Sequence, residues 1–89
     1  MADPDVYRRV ITAIHGRRGY RFAMWEITRE VGCSRSATAL VIGRFLKIKW
    51  LWKYPRGFAS RVYGHTKRWP ERVNDAIEVY EGVVLTEGM

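Results

Sequence analysis

MWEITREVGCSRSATALVIGRFLKIKW, residues Met24 to Trp50, carries two apolar repeats of helical period with a break between them. Trp25, Ile27 and Val31 fit one short helix. Thr38, Val41, Ile42, Phe45 and Ile48 fit a second, longer one, and Gly32-Cys33-Ser34 separates the two. Gly32 can adopt the positive φ of a sharp turn, and the Ser34 hydroxyl can accept from the exposed amides that open the next helix. The segment therefore predicts helix, tight turn, helix.

Upstream, Asp3 is placed to cap a helix with Pro4 in its first turn, where a missing amide costs nothing. Val6, Val10 and Ile14, with Tyr7 and Ile11 beside them, give that helix one apolar stripe from Pro4 to His15, and Gly16 is the expected stop. Tyr20 and Phe22 alternate with Arg21 as a short strand would. Ala23 stands where Ser or Thr would normally cap the next helix, which leaves its start open by a few residues. Downstream, Lys49–Tyr54 and Phe58–Tyr63 read as two strands of a hairpin around a type I turn at Tyr54-Pro55-Arg56-Gly57. Its register is open: Trp50, Trp52 and Tyr54 make one plausible buried face, and Leu51, Phe58 and Val62 the other. Pro70 fits the first turn of a last helix with Val73, Ala76, Ile77 and Tyr80 on one face and Gly82 at its end. Val83, Val84 and Leu85 follow as an apolar tail.

The run Glu26-Ile27-Thr28-Arg29-Glu30-Val31-Gly32-Cys33-Ser34-Arg35-Ser36, taken with the hairpin after it, resembles the helix-turn-helix of the winged helix DNA-binding family; Thr28 stands where the family often has Ala. The resemblance implies an α+β fold: a three-helix core, a two-stranded wing, and here an additional C-terminal helix. A short first strand is expected before helix 2. Residues 1–69 would form the DNA-binding domain. Residues 70–89 would form an amphipathic helix and apolar tail that hold a homodimer.

The chain has 89 residues, room for one small domain that buries only roughly 60 to 65% of its unfolded surface, so a shared interface would help it. Its single cysteine, Cys33, excludes an internal disulfide and a multi-cysteine zinc site, and its place in the turn suits packing better than redox chemistry. No apolar run approaches a membrane span, and the amino terminus lacks the pattern of a signal peptide, so a cytoplasmic, nucleoid-associated protein is expected. Charge is uneven. Residues 1–70 hold fifteen of the sixteen Lys and Arg against four acids, a balance of +11, whereas residues 71–89 hold one cation against five acids. A basic body with an acidic end points to a polyanion partner and a segment held away from it. His15 and His65 have no second ligand at metal spacing, and no nucleophile–base pair, carboxylate pair or phosphate-cradling glycine loop is evident. Neither an enzyme nor a cofactor, metal or small-molecule ligand is expected.

Stepping 100° per residue along the second helix of the pair puts Ser36, Ala39, Leu40, Gly43, Arg44 and Lys47 outward, with Arg35 near the amino end. By resemblance, these lie where the family's recognition helix enters the major groove. The face offers no Asn, Gln, Asp or Glu, so the paired bonds that select adenine or cytosine are missing. Arg35 or Arg44 can still read guanine, and Ala39 or Leu40 can touch a thymine methyl. Gly43 costs a helix roughly 1 kcal/mol against Ala, which suggests close approach by DNA backbone or another chain, with a purely structural approach the first expectation. Arg56 at the hairpin tip, Lys53 and Arg61 on its strands, and Arg17, Arg18 and Arg21 after helix 1 are placed to hold phosphates.

Double-stranded DNA is thus the expected partner, and sequence-preferring transcriptional regulation the expected role. A low-specificity, chromatin-like binder is one alternative. Another is a protein-docking module using Leu40, the tryptophans and the acidic last helix. The hairpin aromatics are expected to complete the core. The competing use is a stacking platform for single strands.

Overall fold

The structure, a computed structural model, describes residues 4–55 and 61–87. It is a small α+β fold of four helices and a three-stranded antiparallel sheet: α1 (Pro4–His15), β1 (Phe22–Ala23), α2 (Met24–Val31), α3 (Arg35–Lys47), β2 (Leu51–Lys53), β3 (Val62–His65) and α4 (Val73–Glu87), with strand order β1-β3-β2. Asp3, Arg56, Gly57 and Phe58 lie outside the described residues.

α1 has its expected bounds and buries Val10, Ile11 and Ile14. The chain leaves it through a succession of tight turns, with Gly19 at φ 84 supplying the left-handed residue. Tyr20 still belongs to those turns: its amide donates to the Arg17 carbonyl and its ring is 74% exposed, so the strand is Phe22–Ala23 and not Tyr20–Phe22.

Ala23 has no side-chain acceptor, yet α2 begins directly after it. Glu26 Oε1 accepts from the Ala23 amide at 3.0 Å, the half of a capping box that needs no hydroxyl. The next amide, Met24 N, donates to the Arg61 carbonyl at 3.2 Å. The buried stripe of α2 is Met24 and Ile27 with half-buried Thr28 and Val31, a clean i, i+3, i+4, i+7 set. Trp25, one residue and about 100° off that stripe, is 56% exposed, which corrects its assignment to the core.

The turn into α3 is as expected: Gly32 sits at φ 73 and Ser34 Oγ accepts from the Ala37 amide at 3.1 Å. Thr38, Val41, Ile42 and Phe45 are buried. Around the turn, Thr28 Oγ1 lies 2.9 Å from Thr38 Oγ1, which in turn lies 3.3 Å from Cys33 Sγ, so the cysteine is packed against a neutral polar pair.

α3 ends in a Schellman motif, in which the Trp50 amide donates to the Phe45 carbonyl (3.0 Å) and the Lys49 amide to the Leu46 carbonyl (3.2 Å). Lys49 takes the left-handed conformation at φ 66, and the Phe45 and Trp50 rings stack at 5.9 Å across the motif. The motif turns the chain into β2.

The hairpin register pairs Leu51 with His65, Trp52 with Gly64 and Lys53 with Tyr63, and continues as Tyr54 N donates to Val62 O at 2.9 Å. The return strand thus lies at Val62–His65, later than the expected Phe58–Tyr63. Leu51 and Tyr63 face the core. Trp69, between β3 and α4, closes the core from below: it meets Phe45 at 4.8 Å and His65 edge-on at 4.8 Å, and its indole N–H donates to His15 Nδ1 at 3.0 Å.

α4 starts three residues after Pro70 and runs through Gly82 to Glu87. Gly82 is helical, with no left-handed turn to stop the chain, because the apolar repeat of Ala76 and Tyr80 continues into Val83. Ala76 and Tyr80 are buried on the protein's own body, and Arg8 clamps α1 to α4 through Glu81 at 2.9 Å. Of the stripe expected to hold a second copy, Tyr80 is buried within the chain and Val73 and Ile77 pack against its core, while the side chains of Val84 and Leu85 lie outside the described residues.

Candidate nucleic-acid interface

α3 is fixed from three sides: the Ser34 cap and the Thr28–Thr38 contact at its start, the Schellman motif at its end, and the buried row Thr38, Val41, Ile42 and Phe45 beneath. Its opposite face is presented by a rigid support. Arg35, Ser36, Leu40, Gly43 and Lys47 are exposed there, and Ala39 is half-buried. A Cβ on Gly43 would meet nothing within 4 Å among the described residues, so none of them requires glycine at that position. Arg44 departs from the outward set. It is half-buried beside Tyr80, where its positive charge opposes the upward push that burial gives the tyrosine hydroxyl.

The three arginines after α1 divide. Arg17 is engaged by both acids of α2, with Nη1 3.3 Å from Glu26 Oε2 and Nη2 2.8 Å from Glu30 Oε1, which corrects its assignment as a phosphate clamp. Arg18 is exposed but reaches across to the Glu71 carbonyl at 3.1 Å, tying the loop to the segment before α4. Arg21 is exposed, with its guanidinium carbon 5.7 Å from the Tyr54 ring centroid, within cation–π range. On the hairpin, Lys53 and Arg61 are exposed, and Arg56 lies outside the described residues. Arg35, Lys53 and Arg61 make no ion pair among the described residues.

The hairpin aromatics split in the same way. Trp50 and Tyr63 join the core as expected, but Trp52 and Tyr54 do not. Paired opposite Gly64, Trp52 turns away from the core; it is 42% exposed and packs on Tyr54 at 4.1 Å between ring centroids. Other exposed cations that residue patterns alone did not single out are Arg29 on α2, Lys49 in the Schellman turn, and Lys67 and Arg68 after β3. Only the overall charge balance pointed to them: Lys49, Lys67 and Arg68 lie between elements, and Arg29 lies on the exposed side of α2.

His15 and His65 sit under Trp69. Burial lowers the pKa of both below 6.5, and Arg18 pushes in the same direction. The bond from His65 Nε2–H to the Ile14 carbonyl (2.9 Å) opposes the shift without cancelling it. They are neutral structural histidines at neutral pH. Among the described residues no group of three His, Cys, Asp or Glu side chains is placed to hold a metal, and no helix is long and apolar enough to cross a membrane. Comparison with protein-family models, curated proteins and solved structures finds no match to this chain.

Proposed function

We propose that this protein is a winged helix module that binds double-stranded DNA as a small transcriptional regulator, with α3 in the major groove and the β2–β3 hairpin on adjacent backbone or minor groove. The observation that carries the reading is the outer face of α3. It is small and smooth at Ser36, Ala39 and Gly43, and cationic at both ends through Arg35 and Lys47. It contains a glycine that none of the described residues requires, on a body with a charge balance of +11. A helix that gives up roughly 1 kcal/mol of propensity on an exposed face gains close approach to an external partner in return. The cation excess makes that partner a polyanion. Such a protein would act in the cytoplasm, on the chromosome.

A second reading, a low-specificity chromatin-like binder, is favoured by the lack of amide and carboxylate side chains on the α3 face, which leaves guanine contacts from Arg35 and apolar contacts from Ala39 and Leu40 as the means of reading bases. Self-association would use what α4 leaves uncovered, the half-buried Val79 and Val83 flanking Gly82. Selection from a random duplex pool tests the proposal. A consensus establishes the regulator, and bound duplexes without one establish the chromatin-like protein. Failure to retain any duplex at low salt sinks both and leaves protein docking.

A further inference from the structure

The outer face of the hairpin exposes large aromatic surface that neither the core nor the α3 face accounts for. Trp52 and Tyr54 lie on the side of the sheet opposite Leu51 and Tyr63, with ring centroids 4.1 Å apart. Gly64, the cross-strand partner of Trp52, is what lets them lie close against the strand. A Cβ there would stand 3.0 Å from Trp52 Nε1 and 3.2 Å from Tyr54 Cε2, so any larger residue would lift both rings off the strand. Arg21, just before β1, brings its guanidinium carbon to 5.7 Å from the Tyr54 ring centroid, while exposed Lys53 and Arg61 belong to the same hairpin but alternate to the Leu51 and Tyr63 side of the sheet. The result is a tilted indole–phenol pair, its ring planes 37° apart, with a guanidinium against it.

We propose that this face is a stacking platform for unpaired nucleobases, so that the protein grips a single-stranded tail beside the duplex held by α3. The tail's position beside a duplex rests on the duplex-binding reading; the platform itself does not. Every base offers a π-face to Trp52 and Tyr54, while Arg21 beside the Tyr54 ring is matched to the strand's phosphates, and Lys53 and Arg61 on the other side of the hairpin add to the local positive potential. An apolar protein partner would gain nothing from Arg21 or from that potential. A nucleic-acid strand uses rings and charges together.

The test is anisotropy titration of the full chain with a blunt duplex, the same duplex carrying a short oligothymidine tail, and oligothymidine alone, together with sedimentation of the wild type and Trp52→Ala. The wild type is expected to bind the tailed duplex about tenfold or more tightly than the blunt one. Trp52→Ala should abolish that preference, bringing tailed and blunt duplex to the same affinity, and Trp52→Phe, which keeps an aromatic face, should retain most of it. Binding of oligothymidine that is lost in Trp52→Ala, without any duplex binding, would support the platform and overturn the duplex reading. A tail that adds nothing, or a preference that survives Trp52→Ala, overturns the platform and leaves the duplex reading standing. Loss of self-association in Trp52→Ala, with no change on tailed DNA, would overturn it by giving the face to a second copy.

Discussion

Lys49 holds a left-handed conformation at φ 66, where a side chain costs about 1–2 kcal/mol and glycine costs nothing sterically. The Schellman motif and the Phe45–Trp50 stack over-determine that turn, so the strain is tolerated. Lys49→Gly should raise stability by about 0.5–1 kcal/mol, the steric relief less the added freedom of the unfolded chain, measurable by urea unfolding. Destabilisation would mean that the lysine side chain contributes more than its backbone costs. The histidines set a pH dependence. With both folded pKa values below 6.5, the neutral forms are favoured in the fold, so their contribution is complete above pH 6.5 and is lost as pH falls from there toward the lowered folded values. His15 Nδ1, which accepts from Trp69, loses its lone pair on protonation, and His65 Nδ1 would place a proton in a buried site with no partner among the described residues. Thermal melts of His15→Gln and His65→Gln should flatten between neutral and mildly acidic pH relative to the wild type; unchanged slopes would remove these residues from the account. Trp69, which ties these groups to Phe45, was not legible in the sequence because it sits in a connection with no periodicity to mark it as core. Lys49 escaped notice because glycine or asparagine is the expected residue in such a turn.

α1 and α3 were legible nearly to the residue, because each combines a clear apolar repeat with an end signal: Pro4 in one case, Gly32 and Ser34 in the other. α2 was placed correctly but rotated in part, since an eight-residue helix offers two overlapping stripes and Trp25 was counted in the wrong one. The hairpin was legible as a hairpin but not in register, because aromatic residues on both of its faces remove the alternation that fixes which side is inward. α4 outran its expected end because glycine stops a helix only when it turns left-handed, which Gly82 does not. Among the candidate site residues, the α3 face was read nearly whole, whereas Arg17 and Arg44 were misread because their partners, Glu26, Glu30 and Tyr80, come from other elements. Gly43 gives the element-scale prediction. Gly43→Ala should stabilise the free protein by about 1 kcal/mol, since the added methyl meets no neighbour, and should weaken duplex binding, since it stands where the groove would close on α3. A variant that is stabilised and binds DNA as well as the wild type would show that nothing presses on this turn of the helix.

At the scale of the whole molecule, the cations fall into two groups. Arg8 pairs with Glu81 and Arg17 with Glu26 and Glu30, holding elements together, and Arg9 pairs with Asp5 within α1. Arg35, Lys47, Lys53 and Arg61 are exposed on α3 and the hairpin, away from the acidic outer side of α4, where Asp75, Glu78 and Glu81 are exposed. Exposed cations on α3 and the hairpin and exposed acids on α4 would together orient a duplex without the need for base recognition. The salt dependence of duplex affinity tests this most directly, measured for the wild type, Arg35→Ala, Lys47→Ala and, as a control in the acidic region, Arg72→Ala. The account predicts that each α3 variant lowers the slope of log affinity against log salt by about 0.9, one phosphate contact apiece, while Arg72→Ala leaves it unchanged; where Arg35 reads a guanine instead, its loss costs about 1–3 kcal/mol on the selected site and leaves the slope intact. A wild-type slope near zero, or a control as damaging as Arg35→Ala and Lys47→Ala, would contradict it.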